Sequence, residues 1–220
     1  MKVKQYNKVA KDYSEYHSQD MQYRKDMYSL LPSLNGKSIL DVGCGEGTDS
    51  KYFLESGASL VAGIDSSDKM LEIAKLKAPQ ANFSCVDISK QQWPFEDKCF
   101  DIVFSNYAIN HIQKLNFIFD EVYRILKKNG IFLLCVTHPT RQFLSSKTKD
   151  YSRCSIVKIF YFDGKVSTDD YSHCVEDYLS ESILANFELN RLKEGYCNDD
   201  KKFNSSWKYP CHLILKYKRK

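Results

Sequence analysis

Residues 38–47 read Ser38-Ile39-Leu40-Asp41-Val42-Gly43-Cys44-Gly45-Glu46-Gly47, a short apolar run that breaks into a glycine-rich turn. The run is short and continuously apolar, as expected of a buried strand. Glycines in the turn let the backbone take positive φ and approach a ligand closely. Tyr52, Phe53 and Leu54 predict a helix after it, closed near Gly57, and the start of that helix offers free N–H groups. A nicotinamide-binding turn needs glycines at x, x+2 and x+5, but Thr48 holds the last position here. The spacing is x, x+2, x+4, with Asp41 two residues before the first glycine.

Outward from this turn, apolar runs alternate with amphipathic stretches. Leu60 to Ile64, Phe83 to Val86, Phe100 to Phe104 and Ile131 to Val136 predict four more buried strands. Ser66 or Ser67 caps a helix that carries Met70, Leu71 and Ala74 on one face and stops at Pro79. Leu115, Ile118, Phe119, Val122, Ile125 and Leu126 recur at spacings of three and four, so they predict one apolar helical stripe. Lys127 and Lys128 would then complement the negative end of that helix, closed by Asn129-Gly130. Such alternation predicts a doubly wound α/β fold, a parallel sheet covered on both faces. Ligands in such folds bind at the carboxyl ends of the strands.

The tail departs from this pattern. A helix over 178–187 and strands at 187–192 and 209–217, joined without a crossover, suit an antiparallel pair. Residues 140–174 fit no α/β unit. An apolar run, 156–162, precedes Asp163-Gly164, so a hairpin is expected within an insertion over the strand ends. The 220 residues read as one domain, 1–220, with an N-terminal lid at 1–36.

The chain is 43% apolar and 27% charged, the balance of a globular protein. It has no apolar run of bilayer length and no secretory signal, so a cytoplasmic protein away from the membrane is expected. Eight cysteines without metal-ligand spacing are expected to be reduced, with Cys85, Cys135 and Cys211 buried as small hydrophobes, and no metal site is expected. The net charge of +4 collects at the termini as solvated lysines, which argues against a nucleic-acid partner. A monomer or weak dimer is expected.

Two acids stand where a nucleotide would pass. Asp65 ends the second strand, about 20 residues beyond the glycines, as for a carboxylate that accepts from both ribose hydroxyls. Asp87 follows the third strand, where it could accept an adenine amino group while Ile88 packs on the ring.

Together these pieces resemble the class I S-adenosylmethionine-dependent methyltransferases, in a small-molecule, type-11-like branch. The resemblance covers residues 37–139: the Asp41–Gly47 turn, Asp65, Asp87-Ile88, Pro94-Phe95, Phe100 to Asn106, and Leu126-Lys127-Lys128-Asn129-Gly130. It implies a Rossmann-like sheet of seven strands, mostly parallel, with the last antiparallel and beside the fifth. It implies S-adenosylmethionine as cofactor and S-adenosylhomocysteine as product. Gly43, Cys44 and Gly45 would pass along the methionine portion, with Asp41 near its amino group. Ser66 and Met70 would sit beside the nucleoside, and Ser105, Asn106 and Tyr107 would face the methyl-transfer side. The stretch Tyr6 to Tyr13 looks like the family's cofactor lid, in which Tyr6 or Tyr13 could cover the sulfonium.

The transferred methyl arrives already activated, so the enzyme's main task is orientation, and a base assists a proton-bearing nucleophile. His111 after the fourth strand, His138 after the fifth and Tyr107 are the candidates, and the sequence does not choose among them. Ser105-Asn106-Tyr107-Ala108 replaces the Asn-Pro-Pro-Tyr signature of amine methylation, which argues against exocyclic adenine amines and glutamine side chains as substrates. Phe143, Tyr151, Phe160, Tyr161, Phe162 and Tyr171 suggest a small, partly apolar acceptor. A tRNA, rRNA or protein methyltransferase, or a noncatalytic partner subunit that binds S-adenosylmethionine, remain alternatives, and Thr48 disfavours a nucleotide-dependent oxidoreductase.

Overall fold

The computed structural model describes residues 6–7, 22–148, 150–161, 164, 166–196 and 208–220. Nine strands and seven α-helices are described within them. In chain order they are α1 (Gln22–Tyr28), β1 (Ser38–Val42), α2 (Thr48–Glu55), β2 (Leu60–Asp65), α3 (Asp68–Lys77), β3 (Asn82–Cys85) and β4 (Phe100–Asn106). After a 3₁₀ turn (Ile109–His111) come α4 (Leu115–Ile125), β5 (Leu126–Thr137), α5 (Pro139–Ser145), β6 (Ile156–Tyr161) and β7 (Val166–Tyr171). The chain ends with α6 (Val175–Tyr178), α7 (Glu181–Asn186), β8 (Phe187–Tyr196) and β9 (Pro210–Arg219).

Seven strands form one sheet in the order β3-β2-β1-β4-β5-β9-β8, and β6 and β7 form a separate hairpin. The first five neighbours pair in parallel, while β9 pairs antiparallel with both β5 and β8. The last strand therefore lies beside the fifth, as the sequence reading expected. The strand order reverses between β1 and β4, which opens a crevice at their carboxyl ends.

Successive side chains of a strand point to opposite faces, and the core divides accordingly. Leu40, Val42 and Val103 pack on one face beneath Ile118 and Val122 of α4. Ile39, Ile102 and Phe104 pack on the other with Met27 of α1 and Phe53 of α2. The α4 stripe of Leu115, Ile118, Phe119, Val122 and Ile125 is buried throughout. Each such side chain contributes about 1.5–3 kcal/mol by leaving water.

Three expectations need correction. The α4 helix ends at Ile125, and Leu126 already begins β5. Lys127 therefore complements no helix dipole; its Nζ lies 2.8 Å from Asp101 Oδ2 on β4. Asn129, at φ 62°, sits in a distortion of β5 where the pairing jumps from Phe100–Leu126 to Ile102–Ile131. The helix expected over 178–187 is shorter, α7 at Glu181–Asn186, with α6 ending before it at Tyr178 and Phe187 opening β8. Cys85 is exposed, because β3 is an edge strand, whereas Cys135 and Cys211 are buried. The hairpin forms from residues 156–161 and 166–171 as expected, while Phe162 and Asp163 lie outside the described residues. Among the described residues no helix is long and apolar enough to cross a membrane.

Candidate active site

The β1–α2 turn shows why its glycines are there. Gly43, Gly45 and Gly47 have φ of 70°, 51° and 79°, values in the left-handed region that disfavours side chains. A Cβ on Gly43 would stand 2.1 Å from the Cβ of Ala108, so the turn packs against the segment after β4 with no side chain between. A Cβ on Gly45 would meet nothing within 4 Å, because that face opens into a cavity.

The cavity opens at the carboxyl ends of β1, β2 and β4. Gly43 and Gly45 form one wall, and Asp65, Ser66 and Met70 another. Ile88 closes one end. Asn106, Tyr107, Ala108, His111 and Tyr6 complete the lining.

Asp65 ends β2 with both carboxylate oxygens aimed at the turns. Oδ2 accepts from the Gly45 N–H at 3.0 Å and Oδ1 from the Ser67 N–H at 2.8 Å. A carboxylate offers about four acceptor positions, so these donors leave room for a ligand hydroxyl. Burial pushes the Asp65 carboxyl above its ordinary range, although these backbone donors oppose the shift. Ser67, not Ser66, caps α3 by accepting from the Met70 N–H, which leaves Ser66 on the cavity wall.

Asn106 carries the clearest sign of a missing partner. Its Nδ2 donates to Asp49 Oδ2 at 3.1 Å, while its Oδ1 is buried in the lining without a hydrogen-bond partner. A buried carbonyl oxygen of this kind costs about 1–3 kcal/mol unless a ligand donor reaches it. Behind it, Asp49 accepts from Arg24 Nε at 3.0 Å and from the Tyr28 hydroxyl. Burial would raise Asp49, but the Arg24 guanidinium outweighs that and holds it below the ordinary carboxylate range.

The remaining expected cofactor residues stand around the cavity rather than in its lining. Asp41 lies beneath the turn, where its Oδ2 accepts from Ser50 Oγ at 2.7 Å. Burial pushes its carboxyl up, and the neighbouring Asp49 adds to that. Cys44 is buried with its sulfur against Gly63. Ser105 donates to the Val42 carbonyl at 3.0 Å and so ties β4 to β1. Asp87 turns to Ser89 and to Lys90, whose Nζ is 3.1 Å from Oδ2. Its partial burial is outweighed by the Ser89 donors, which keep it below the ordinary range. Tyr13 lies outside the described residues.

The candidate bases separate clearly. His111 lines the cavity and is 4% exposed. Its Nε2 lies 2.6 Å from the Tyr6 hydroxyl, and its Nδ1 faces the Asp169 carbonyl at 3.1 Å and Asp170 Oδ1 at 3.2 Å. Tyr107 also lines the cavity, at φ 53°, with its ring edge-on to Tyr23. His138 is buried outside the lining. It caps α5 by accepting from the Thr140 N–H at 3.0 Å, and its Nε2 lies 3.1 Å from Glu194 Oε1 on β8.

Two functional candidates escaped the sequence reading. Asp170 is fully buried behind His111, and Ala108 supplies the small wall that Gly43 needs. The available signal for Asp170 was polarity on the wrong side of a strand. Thr168 and Asp170 both point inward on β7, and buried polar groups of that kind need a reason.

Comparison with known proteins agrees with this arrangement. A family described as methyltransferase domain matches residues 40–134. A demethylmenaquinone methyltransferase of Tropheryma whipplei is 26% identical over 211 residues, covering 93% of this chain and 84% of that protein. An uncharacterised protein of Haemophilus influenzae is 34% identical over 205 residues, covering 84% and 81%. Among solved structures, a candidate S-adenosylmethionine-dependent methyltransferase of Listeria monocytogenes superposes with a TM-score of 0.74 at 25% identity, covering 90% of this chain and 96% of that one. On these matches the chain belongs to the class I S-adenosylmethionine-dependent methyltransferases, in their type-11 branch.

Proposed function

We propose that this methyltransferase binds S-adenosylmethionine in the cavity between β1, β2 and β4 and methylates an oxygen or nitrogen of a small, partly apolar acceptor. The single observation that carries this reading is the meeting of Gly45, Asp65, Asn106 and His111 around one cavity. The residues fit the cofactor: the Gly45 face is open, and the orphaned Asn106 Oδ1 suits an ammonium donor.

Bound S-adenosylmethionine supplies a methyl group activated on a sulfonium. Asp65 would accept from the ribose hydroxyls at the end of β2. Met70 and Ile88 would pack on the adenine, and Asp87 could serve its amino group only by sharing its bond with Ser89 or Lys90. Asn106 would hold the methionine ammonium, with Asp49 as nearby negative charge. Tyr6 and Tyr107 would exclude water above the reacting atoms. Holding the two reactants in line accounts for about 7–11 kcal/mol of the barrier. His111 lines the same cavity and would accept the acceptor's proton as the new bond forms, an effect of about 10²–10⁴ in rate.

A partly apolar, ring-bearing acceptor is also in keeping with the Tropheryma relative, whose name gives demethylmenaquinone as its substrate. The test is a panel of small acceptors with radiolabelled methyl donor. Phenolic, alcoholic and amine compounds are each assayed with wild type and with His111→Gln. Label transfer that depends on His111 supports the reading. Bulk tRNA and protein are assayed beside them, and a wild type that transfers label only to tRNA or protein would overturn it.

A further inference from the structure

The geometry points to Asp170, on the hairpin strand β7, as the positioning residue that sets His111 as a proton acceptor toward the cavity. This rests on the reading of His111 given above.

The hydrogen-bond directions fix the tautomer. His111 Nδ1 faces two acceptors and no donor: the Asp169 carbonyl at 3.1 Å and Asp170 Oδ1 at 3.2 Å. The neutral ring must therefore carry its proton on Nδ1. Its Nε2 lone pair is then left facing the cavity, where the Tyr6 hydroxyl donates to it at 2.6 Å. Tyr6 thus shows that an O–H donor is complementary to that nitrogen.

Asp170 is itself held from two sides. Thr137 Oγ1 on β5 donates to Oδ2 at 2.9 Å, and Thr168 Oγ1 donates to Oδ1 at 3.1 Å. Asp170 has no exposed surface, and Thr137 and Thr168 are also buried. A carboxylate locked this way cannot swing to water when the imidazole is neutral. The hairpin is thus part of the active site and not only a roof above it.

The charged and titratable groups that face His111 are Asp170 from β7, Asp65 from the end of β2 and Tyr6 from the N-terminal stretch. From β5 comes the neutral Thr137, which reaches it through Asp170. Asp169 presents its carbonyl to His111 and turns its carboxylate to Lys158. Burial of the imidazole disfavours its charge, but the Asp170 carboxylate outweighs burial, so His111 titrates above the ordinary histidine value.

In the transfer step the acceptor X–H takes the place of the Tyr6 hydroxyl at His111 Nε2, the X–H bond breaks and its proton goes to that nitrogen. The X–H electron pair remains on X, and a lone pair of X forms the bond to the methyl carbon. The carbon–sulfur bond breaks with its pair going to sulfur. The imidazolium formed keeps its Nδ1–H on Asp170, whose negative charge balances it, and it later releases the Nε2 proton to solvent.

The test combines a nitrogen-15 NMR titration of the histidine side chains with pH–rate profiles. The His111 signals are assigned by their loss in His111→Gln. In the wild type, neutral His111 is expected as the Nδ1–H form with a midpoint above the ordinary histidine value. Asp170→Asn is expected to lower that midpoint and release the tautomer. It should also reduce kcat by about 10²-fold or more, leave KM for the methyl donor near its wild-type value, and move the acidic limb of the profile to lower pH. An Nε2–H tautomer in the wild type overturns the inference. An unchanged titration in Asp170→Asn overturns it as well. If the NMR behaves as expected while no acceptor depends on His111, the functional reading fails and the positioning role stands.

Discussion

Asp101 shows how a residue far from the cavity holds the site together. On β4 it accepts from the Ser38 N–H at 3.0 Å, from Ser38 Oγ at 2.7 Å and from Lys127 Nζ at 2.8 Å, so one carboxylate joins β1, β4 and β5. Its slight burial is outweighed by these donors, Lys127 foremost, which hold the carboxyl at about 2. A depressed carboxylate adds stability above its unfolded value, and that stability is lost as pH falls through the folded value. Asp101→Asn should therefore cost about 1–2 kcal/mol at neutral pH, after discounting for its exposure to solvent. The deficit should shrink as urea unfolding is repeated from neutral pH down to about pH 2, where the folded carboxyl is half protonated. A deficit that does not change with pH would assign the loss to packing instead.

At the scale of elements, the glycine turn and the α5 cap give separable predictions. Gly43→Ala adds a methyl 2.1 Å from Ala108 at a positive φ, so it should destabilise the fold by about 2–4 kcal/mol. Gly45→Ala meets open space and should cost only about 1–2 kcal/mol, but its methyl enters the cavity wall and should weaken cofactor binding. Denaturant unfolding set beside ligand titration separates the two, and equal behaviour of the variants would contradict the turn's assigned role. His138→Ala removes the α5 cap and should cost about 1 kcal/mol, with cofactor affinity unchanged. Calorimetry that shows a large loss of affinity would return His138 to the site. The strand–turn–helix of the glycine segment was legible because burial and backbone strain write directly into local sequence. The α4–β5 boundary was not, since Leu126 fits a helical stripe and a buried strand equally well. Its ladder partner Phe100 on β4 resolves the choice, and that pairing is not local in sequence.

Across the whole molecule, the sheet order brings together groups that lie far apart in the chain. Tyr6, Asp65, His111 and Asp170 come from four segments, and only topology makes them neighbours. That explains what could be read beforehand. Asp65 was legible because a fixed interval separates it from the glycines on adjacent parallel strands. Choosing His111 over His138 was not, because both follow strands at the same sheet edge and only side-chain direction separates them. Asp170 was hidden for the same reason, since the hairpin's docking against the 3₁₀ turn leaves no periodic trace.

The central claim is that Asp65, at the cavity wall, grips an adenosyl ligand, and titration calorimetry with S-adenosylhomocysteine tests it most directly. The account predicts saturable one-to-one binding by the wild type. It also predicts at least about tenfold weaker binding by a folded Asp65→Ala, the loss of hydrogen bonds to a charged group. No saturable heat with the wild type, or equal affinity in the two proteins, would contradict it.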